Sequence, residues 1–148
     1  MEKGILKEVI RLDHGIKKYM SHGFEVKKGL NLTQFQIVNY LLTHEGEDLC
    51  QKDLEDLTGL KKASMTGCLN SLEDKDLIYR ENAAEDRRRN YIRVTERLKG
   101  YGERVAQRGE ELEALMLKDI SDKDLEAFYR VAERFVKNIR EAEDEADL

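Results

Sequence analysis

Apolar residues recur at helical spacing in the first part of the chain. Residues 5–20 place one apolar stripe along a predicted helix. A second helical pattern follows, in which Thr33 and Gln36 have the spacing of a capping box in front of a run of Ile, Val and Leu. We expect Gly46 to end this second helix.

Two shorter helical patterns lie between positions 50 and 74. The first stops near Gly59, and the second runs from about Lys61 to Asp74. A helix, a tight turn with glycine and a second helix make the outline of a helix-turn-helix. Two short runs of strand-forming residues come next, LIYRE and NYIRVT, and they predict a β-hairpin. Such a hairpin is the wing of a winged helix.

The helical pattern returns after the hairpin. Thr95 is placed to cap a long helix over residues 95–118, and Ser121 with Asp124 has capping-box spacing before the last helix. The tail REAEDEADL is acidic, and we expect it to fray. The predicted fold class is therefore mainly α with a small β-hairpin wing. The terminal helices are amphipathic, so we expect them to pack on each other and on a second subunit.

Composition excludes several classes of protein. With 148 residues the chain is most simply one domain, and 39% charged residues suit helices with wet outer faces. No apolar run approaches the length of a membrane span, and no signal-peptide segment precedes the first helix, so we expect a cytoplasmic protein without a membrane partner. No combination of nucleophile and base suggests an enzyme, and the scattered His14, His22 and His44 predict no metal site and no cofactor.

Positive charge gathers where the hairpin turns, although the chain carries a net charge of -5. Residues 58–93 contain eight Lys or Arg and six Asp or Glu, so this segment is basic and the remainder is acidic. The turn holds Arg87, Arg88 and Arg89 in succession. One interpretation is a solvated loop. The other is contact with the electronegative minor groove of DNA, with Asp86 bracing one guanidinium by a carboxylate pair.

The second helix of the helix-turn-helix has polar and small residues at its start. A recognition helix contacts bases and phosphates near its N-terminus in the major groove. Lysine suits phosphate or guanine, hydroxyl groups donate or accept, and a small apolar side chain can touch a thymine methyl. The alternative is that these residues are simply solvated at the start of a helix and contact no partner. The predicted DNA contacts on this helix are Lys61, Lys62, Ala63, Ser64, Thr66, Gly67 and Asn70.

This order of elements resembles the MarR family of winged helix-turn-helix transcriptional regulators over about residues 5–140. LTQFQIVNYL is similar to the LTxxQ helix start of that family, and DRRRNYIRVT is similar to its wing signature. The resemblance implies an intertwined homodimer that binds a pseudo-palindromic operator in double-stranded DNA. It further implies a repressor that a small aromatic or phenolic effector releases from DNA. Arg88 would be the wing arginine, with Arg87 and Arg89 as helpers.

The resemblance also divides the chain into regions. Residues 30–95 would form the winged-helix lobe, residues 1–29 and 96–142 the helical dimerisation region, and residues 143–148 an acidic tail. Two departures stand out, because Lys61 occupies the usual Ser or Thr cap of the recognition helix and Asp76 replaces the glycine that usually closes it. Aspartate tolerates the left-handed conformation that this position requires.

Side chains on the helices around the expected effector pocket are candidates for binding it, although each is also a simple core or interface residue. They are His14, Tyr19, Tyr40, Tyr101 and Arg104. Cys50 lies at the start of a helix, which favours thiolate, so a thiol-based redox regulator is one alternative function. A cap position filled by a small residue is the other explanation of Cys50. A winged helix used as a protein-interaction module is a further alternative.

Overall fold

The computed structural model describes residues 3–22 and 29–147; of the predicted dimerisation region 1–29, residues 1, 2 and 23–28 lie outside it. Six helices and one hairpin confirm the predicted fold class. The chain forms two compact units, Met1–Leu112 and Glu113–Leu148. The elements in order are α1 (Ile5–Met20), α2 (Leu32–Thr43), α3 (Gln51–Thr58), α4 (Lys62–Asp74), β1 (Ile78–Asn82), β2 (Asn90–Val94), α5 (Glu96–Leu117) and α6 (Asp122–Ala146).

The capping box of α2 lies two residues earlier than predicted. The side chain of Asn31 accepts from the amide of Gln34 at 2.8 Å, and the Gln34 side chain accepts from the Asn31 amide at 3.2 Å. The prediction of Thr33 with Gln36 is therefore wrong, because Thr33 already lies inside the first turn. The helix ends at Thr43, and Gly46 takes its positive φ of 90° in the turn that follows.

Residues with a left-handed backbone conformation lie before and after α4. Gly59 closes α3 with φ 74°, as glycine does after many helices. Asp76 follows α4 with φ 58°, so the left-handed aspartate expected there is confirmed. The amide of Leu77 then donates back to the carbonyl of Leu72 at 3.1 Å, and both leucine side chains are buried. This Schellman-type ending turns the chain directly into β1.

The hairpin is antiparallel, with Ile78 opposite Val94 and Asn82 opposite Asn90. Its inner face is buried through Ile78, Ile92 and Val94, which matches the alternation of the two strands. Thr95 joins the hairpin to α5, because its hydroxyl donates to the carbonyl of Asp76 and accepts from the amide of Leu98, which confirms it as a cap.

One hydrophobic core holds the helix-turn-helix under the hairpin and α5. Its fully buried members come from α1 to α5, from β1 and from the turn at Leu77, among them Met20, Ile37, Leu54, Met65, Leu69, Leu72, Ile78 and Leu98. Gly109 shows how closely α5 approaches α2. A Cβ atom there would lie 2.8 Å from Cζ of Phe35, so no larger residue fits without displacing that ring.

The last helix is longer than predicted and has an unburied apolar face. Its start confirms Ser121 as the cap, since the Ser121 hydroxyl accepts from the amide of Asp124 at 3.1 Å. The expectation that the acidic tail frays is wrong up to Ala146, because Glu and Ala are strong helix formers. None of the residues of α6 is buried, and the exposed fractions of Phe128 and Ile139 are 55% and 61%. Within the described ranges, no helix has the length and apolar character to span a membrane.

Candidate nucleic-acid interface

The start of α4 presents the predicted recognition residues to solvent. Lys61, Lys62, Ala63, Ser64 and Gly67 are all exposed. Neither lysine forms an ion pair within the described part of the chain. A Cβ atom added at Gly67 would meet nothing within 4 Å, so no packing helix requires glycine there. The charge and the small surface of this helix start are therefore available to a partner.

Thr66 is already engaged within the protein. Its hydroxyl donates to the carbonyl of Lys62 at 2.8 Å and accepts from the side-chain amide of Gln51 at 2.9 Å. Gln51 also donates to the Lys62 carbonyl at 3.2 Å. Gln51, which was not among the predicted site residues, thus ties the first turn of α3 to the first turn of α4. The sequence pattern at the start of α3 indicates that a helix begins there. It does not indicate that Gln51 contacts Lys62, eleven positions later.

Asn70 is also bound within the lobe. Its side-chain carbonyl accepts from Nη2 of Arg80 at 3.0 Å, and Nη1 of Arg80 forms an ion pair with Glu73. The predicted contact of Asn70 with a phosphate or an adenine would have to replace this bond. Arg80, which the sequence analysis did not assign, instead links β1 to the outer side of α4.

The wing tip carries three arginines without acidic partners. Arg87, Arg88 and Arg89 are exposed, and no ion pair or side-chain hydrogen bond of theirs occurs among the residues that the structure describes. Asp86 does brace the tip, but through the backbone: its carboxylate accepts from the amide of Arg88 at 2.9 Å, and its carbonyl accepts from the amide of Arg89 at 3.0 Å. The predicted carboxylate–guanidinium pair is wrong, because the Asp86 carboxylate closes an Asx-type turn instead.

A basic groove runs between the wing and the helix-turn-helix. Its volume is about 530 Å³, and it is lined from α3, α4 and the hairpin. Glu55 is the one carboxylate residue among the lining residues. Lys52 and Arg80 are paired elsewhere, with Asp56 and Glu73, whereas the other lining cations are not. The five cations that line the groove are Lys52, Lys62, Arg80, Arg88 and Arg89.

The two cysteines have different surroundings. Cys50 is half-buried at the N-cap of α3 and lines the basic groove, and its thiol donates to the carboxylate of Asp53 at 3.3 Å. Both cysteines are free. Cys68 packs against the core, where burial raises the pKa of its thiol and the nearby charge of Lys75 partly opposes that rise.

No hydrogen bond, ion pair or ring contact joins any two of the five predicted effector residues in the described part of the chain. His14 and Arg104 are exposed, Tyr40 stacks on His44 with ring centroids 3.9 Å apart, and Tyr101 packs against the core. None of these lines the basic groove.

Tyr19 meets Arg108, which the sequence analysis did not assign. The guanidinium lies 3.9 Å from the centroid of the Tyr19 ring, and its Nη atoms donate to the Tyr19 hydroxyl and to the carbonyls of Tyr19 and His22. Arg104, the arginine among the predicted effector residues, lies one turn earlier on α5. The helical periodicity that placed Arg104 on this helix applies equally to Arg108, but it does not show which arginine faces α1.

Comparison with known proteins adds a family to this geometry. The MarR family model matches residues 28–89, which span α2, the helix-turn-helix and the first strand with the wing tip. These residues are similar to the MarR family. The resemblance drawn from the sequence motifs is thereby confirmed, and the matched region contains the recognition residues and all three wing arginines.

Solved structures extend the MarR-family likeness to the whole fold. The S. aureus MepR–DNA complex is 22% identical with a TM-score of 0.77 and covers 93% of this chain and 99% of that chain. The transcriptional regulator SlyA is 17% identical, with a TM-score of 0.73 and coverages of 94% and 96%. The adhesin competence repressor AdcR from Streptococcus pyogenes is 22% identical, with a TM-score of 0.65 and coverages of 93% and 98%. At these identities the likeness establishes the shared fold.

Proposed function

We propose that this protein is a transcriptional regulator that binds double-stranded DNA through α4 and the wing. The observation that carries the proposal is that Arg87, Arg88 and Arg89 at the wing tip form no ion pair and no side-chain hydrogen bond with any described residue. Arg88 and Arg89 line the same groove as Lys62, in a chain of net charge -5. Unpaired arginines are costly to gather unless a strongly negative partner meets them, and the phosphates of a duplex are such a partner.

The MarR-family match supports this proposal, because the matched residues 28–89 include the proposed interface. The S. aureus MepR structure with the same fold was determined with DNA bound. In the proposed complex, α4 enters the major groove with Lys61, Lys62, Ala63 and Ser64 at its leading end, and the wing reaches the adjacent minor groove. Thr66 and Asn70 contact DNA only if their hydrogen bonds within the protein are replaced by hydrogen bonds to DNA.

The protein acts as a homodimer in this proposal, with residues 30–95 as the DNA-binding lobe and residues 1–29 and 96–142 as the dimerisation region. Its support is the exposed apolar surface of α1 and α6, which includes Leu6, Ile10, Phe128 and Phe135. Large exposed apolar faces mark interaction surfaces in water. Two lobes related by a two-fold axis would bind a pseudo-palindromic operator with half-sites about one helical turn apart.

Repression and effector release complete the proposal. A regulator that covers an operator blocks transcription, and the name of the AdcR repressor, which has the same fold, is consistent with that role. A small aromatic effector would bind beside the helices that carry Tyr19, Tyr40 and Tyr101. The cytoplasm is the proposed location, because the operator lies there, and no catalytic step is part of the proposal.

Duplex binding over a range of salt concentrations tests the proposal. Fluorescence anisotropy with genomic fragments selected by the protein should show affinity that falls steeply as salt rises. The variant R87A/R88A/R89A should bind weakly and lose about three units of salt slope per protomer. The matched control is R130A/R134A/R140A, which removes the same charge from α6 and should keep the slope of the unaltered protein.

Two outcomes would favour another function. If no duplex binds with salt dependence, the winged helix serves a protein partner instead. If peroxide abolishes DNA binding by the unaltered protein but not by Cys50→Ser, the protein is a thiol-based regulator. The second alternative is favoured only by the position of Cys50 in the basic groove.

A further inference from the structure

The guanidinium of Arg93 joins three segments of the lobe. Its Nε donates to the carboxylate of Glu81 on β1 at 2.8 Å. Its Nη2 donates to the carboxylate of Asp48 at 2.7 Å, and its Nη1 donates to the carbonyl of Glu47 at 2.8 Å. Asp48 and Glu47 belong to the connection between α2 and α3. One side chain on β2 therefore fastens the hairpin to the loop in front of the helix-turn-helix.

The surroundings of Arg93 leave little of it for an external partner. Its side chain is 21% exposed, whereas those of Asp48 and Glu81 are 62% and 53% exposed. The guanidinium also lies 5.2 Å from the centroid of the Tyr91 ring. Hydrogen bonds to Glu81 and then to Asp48 raise the pKa of Arg93 above its ordinary value. Its charge is thus compensated inside the protein, in contrast to the charges of the wing tip.

Backbone contacts mark the same place as the junction of the hairpin with the lobe. The amide of Ile92 donates to the carbonyl of Leu49 at 2.7 Å, and Cys50 forms an isolated bridge with Tyr91. The strand from Ile92 back to Asn90 spans about 7 Å, and the wing arginines lie beyond its end. A small rotation of the hairpin at this junction therefore moves the wing arginines farther than it moves Ile92.

We infer that Arg93 is a positioning residue for the wing. It holds the junction through Asp48 and Glu81 and thereby sets where Arg87, Arg88 and Arg89 lie relative to α4. The inference rests on the proposed DNA-binding function. It assigns to Arg93 no contact with DNA, although its charge and its place in the basic segment would suggest a phosphate contact.

The salt dependence of duplex binding distinguishes positioning from direct contact. Arg93→Gln should weaken binding by about 5- to 30-fold, because a loosened wing must be ordered when it binds, although it then makes the same phosphate contacts. Its plot of log affinity against log salt should keep the slope of the unaltered protein. Arg88→Gln, the matched control, should lower that slope by about one per protomer, because it removes a phosphate contact. A slope for Arg93→Gln that falls like that of Arg88→Gln would overturn the inference.

Asp48, which accepts a hydrogen bond from Arg93, gives a second test. A charge effect and a positioning effect of Asp48 predict opposite changes in DNA affinity. Removing a carboxylate from a DNA-binding protein should strengthen binding if only its charge matters. Asp48→Ala should instead weaken binding, because it removes the acceptor of Nη2 of Arg93. Asp74→Ala is the control, since Asp74 is exposed on α4 and its side chain makes no hydrogen bond or ion pair in the described ranges. Equal strengthening by both variants would refute the positioning role.

Amide exchange tests the junction without DNA. Arg93→Gln should leave thermal unfolding cooperative and should speed exchange at the Ile92 amide, while exchange at Leu69 in the core stays unchanged. Unchanged exchange at Ile92 would overturn the inference even if the protein binds DNA. If the unaltered protein binds no duplex, the proposed function fails, whereas faster exchange in Arg93→Gln would still show that this side chain fastens the hairpin.

Discussion

The carboxylate of Asp86 accepts a hydrogen bond from the backbone amide of Arg88 at 2.9 Å, so the acid shapes the wing tip, while the Arg88 guanidinium pairs with none of the residues that the structure describes. This relationship separates two roles that an Asp beside an arginine could have. A neutralising acid would lower the affinity for DNA, whereas a turn-forming acid supports it.

The effect of an Asp86 substitution on DNA affinity should therefore depend on whether the new side chain keeps a hydrogen-bond acceptor, and not on its charge. Asp86→Asn keeps a side-chain carbonyl for the Arg88 amide, and it should bind DNA at least as tightly as the unaltered protein. Asp86→Ala removes the acceptor and should bind about fivefold more weakly, in keeping with about 1 kcal/mol for one hydrogen bond. Anisotropy titrations at one salt concentration measure both. Tighter binding by Asp86→Ala would show that charge outweighs the turn.

Gly67 should show opposite effects on stability and on DNA binding. It lies inside α4 with open space around its Cα, so Gly67→Ala should raise the free energy of unfolding by about 0.5–1 kcal/mol. If the helix backbone approaches DNA closely there, the same change should weaken duplex binding. Gly100→Ala on α5 is the matched control, because its added methyl group also meets nothing within 4 Å. It should stabilise the fold and leave DNA affinity unchanged.

The two cysteines should differ in reactivity. Iodoacetamide should modify Cys50 faster than Cys68, since Cys68 packs against the core and burial raises its pKa. A raised pKa also means that the contribution of Cys68 to stability is present below the ordinary thiol pKa and is lost as pH rises through the folded value. Mass spectrometry of timed samples measures the two rates. Bound duplex should slow the modification of Cys50 and leave that of Cys68 unchanged. Equal protection of both thiols would contradict the place of Cys50 in the groove.

The apolar face of α6 should be required for association. Phe135 is 41% exposed in the single chain, and Phe135→Glu should shift sedimentation from the mass of two chains to that of one. Asn138→Glu changes an exposed polar residue of the same helix and should leave the mass unchanged. A monomeric unaltered protein at micromolar concentration would contradict the proposed homodimer.

Helices and strands were predictable because their signals are local. The 3.6-residue periodicity of α1, the glycine after α3 and the alternation in the hairpin each depend on neighbours a few positions away. The α2 cap was misplaced by two positions, since Asn31 and Thr33 both have side chains that can cap, and only the path of the backbone decides between them. The left-handed Asp76 was predictable from the resemblance, in which a glycine usually closes this helix, because aspartate tolerates the same conformation.

The sequence by itself determined the order of the elements, the basic character of the wing and the family that its motifs resemble. Only the tertiary structure decided which cations are free. Arg93 finds Glu81 and Asp48 at separations of 12 and 45 positions, and Arg80 finds Asn70 at a separation of 10, whereas the wing arginines find no acid among the described residues. The physical reason is that charge is a property of one residue, but pairing requires two side chains that the fold brings within about 3 Å.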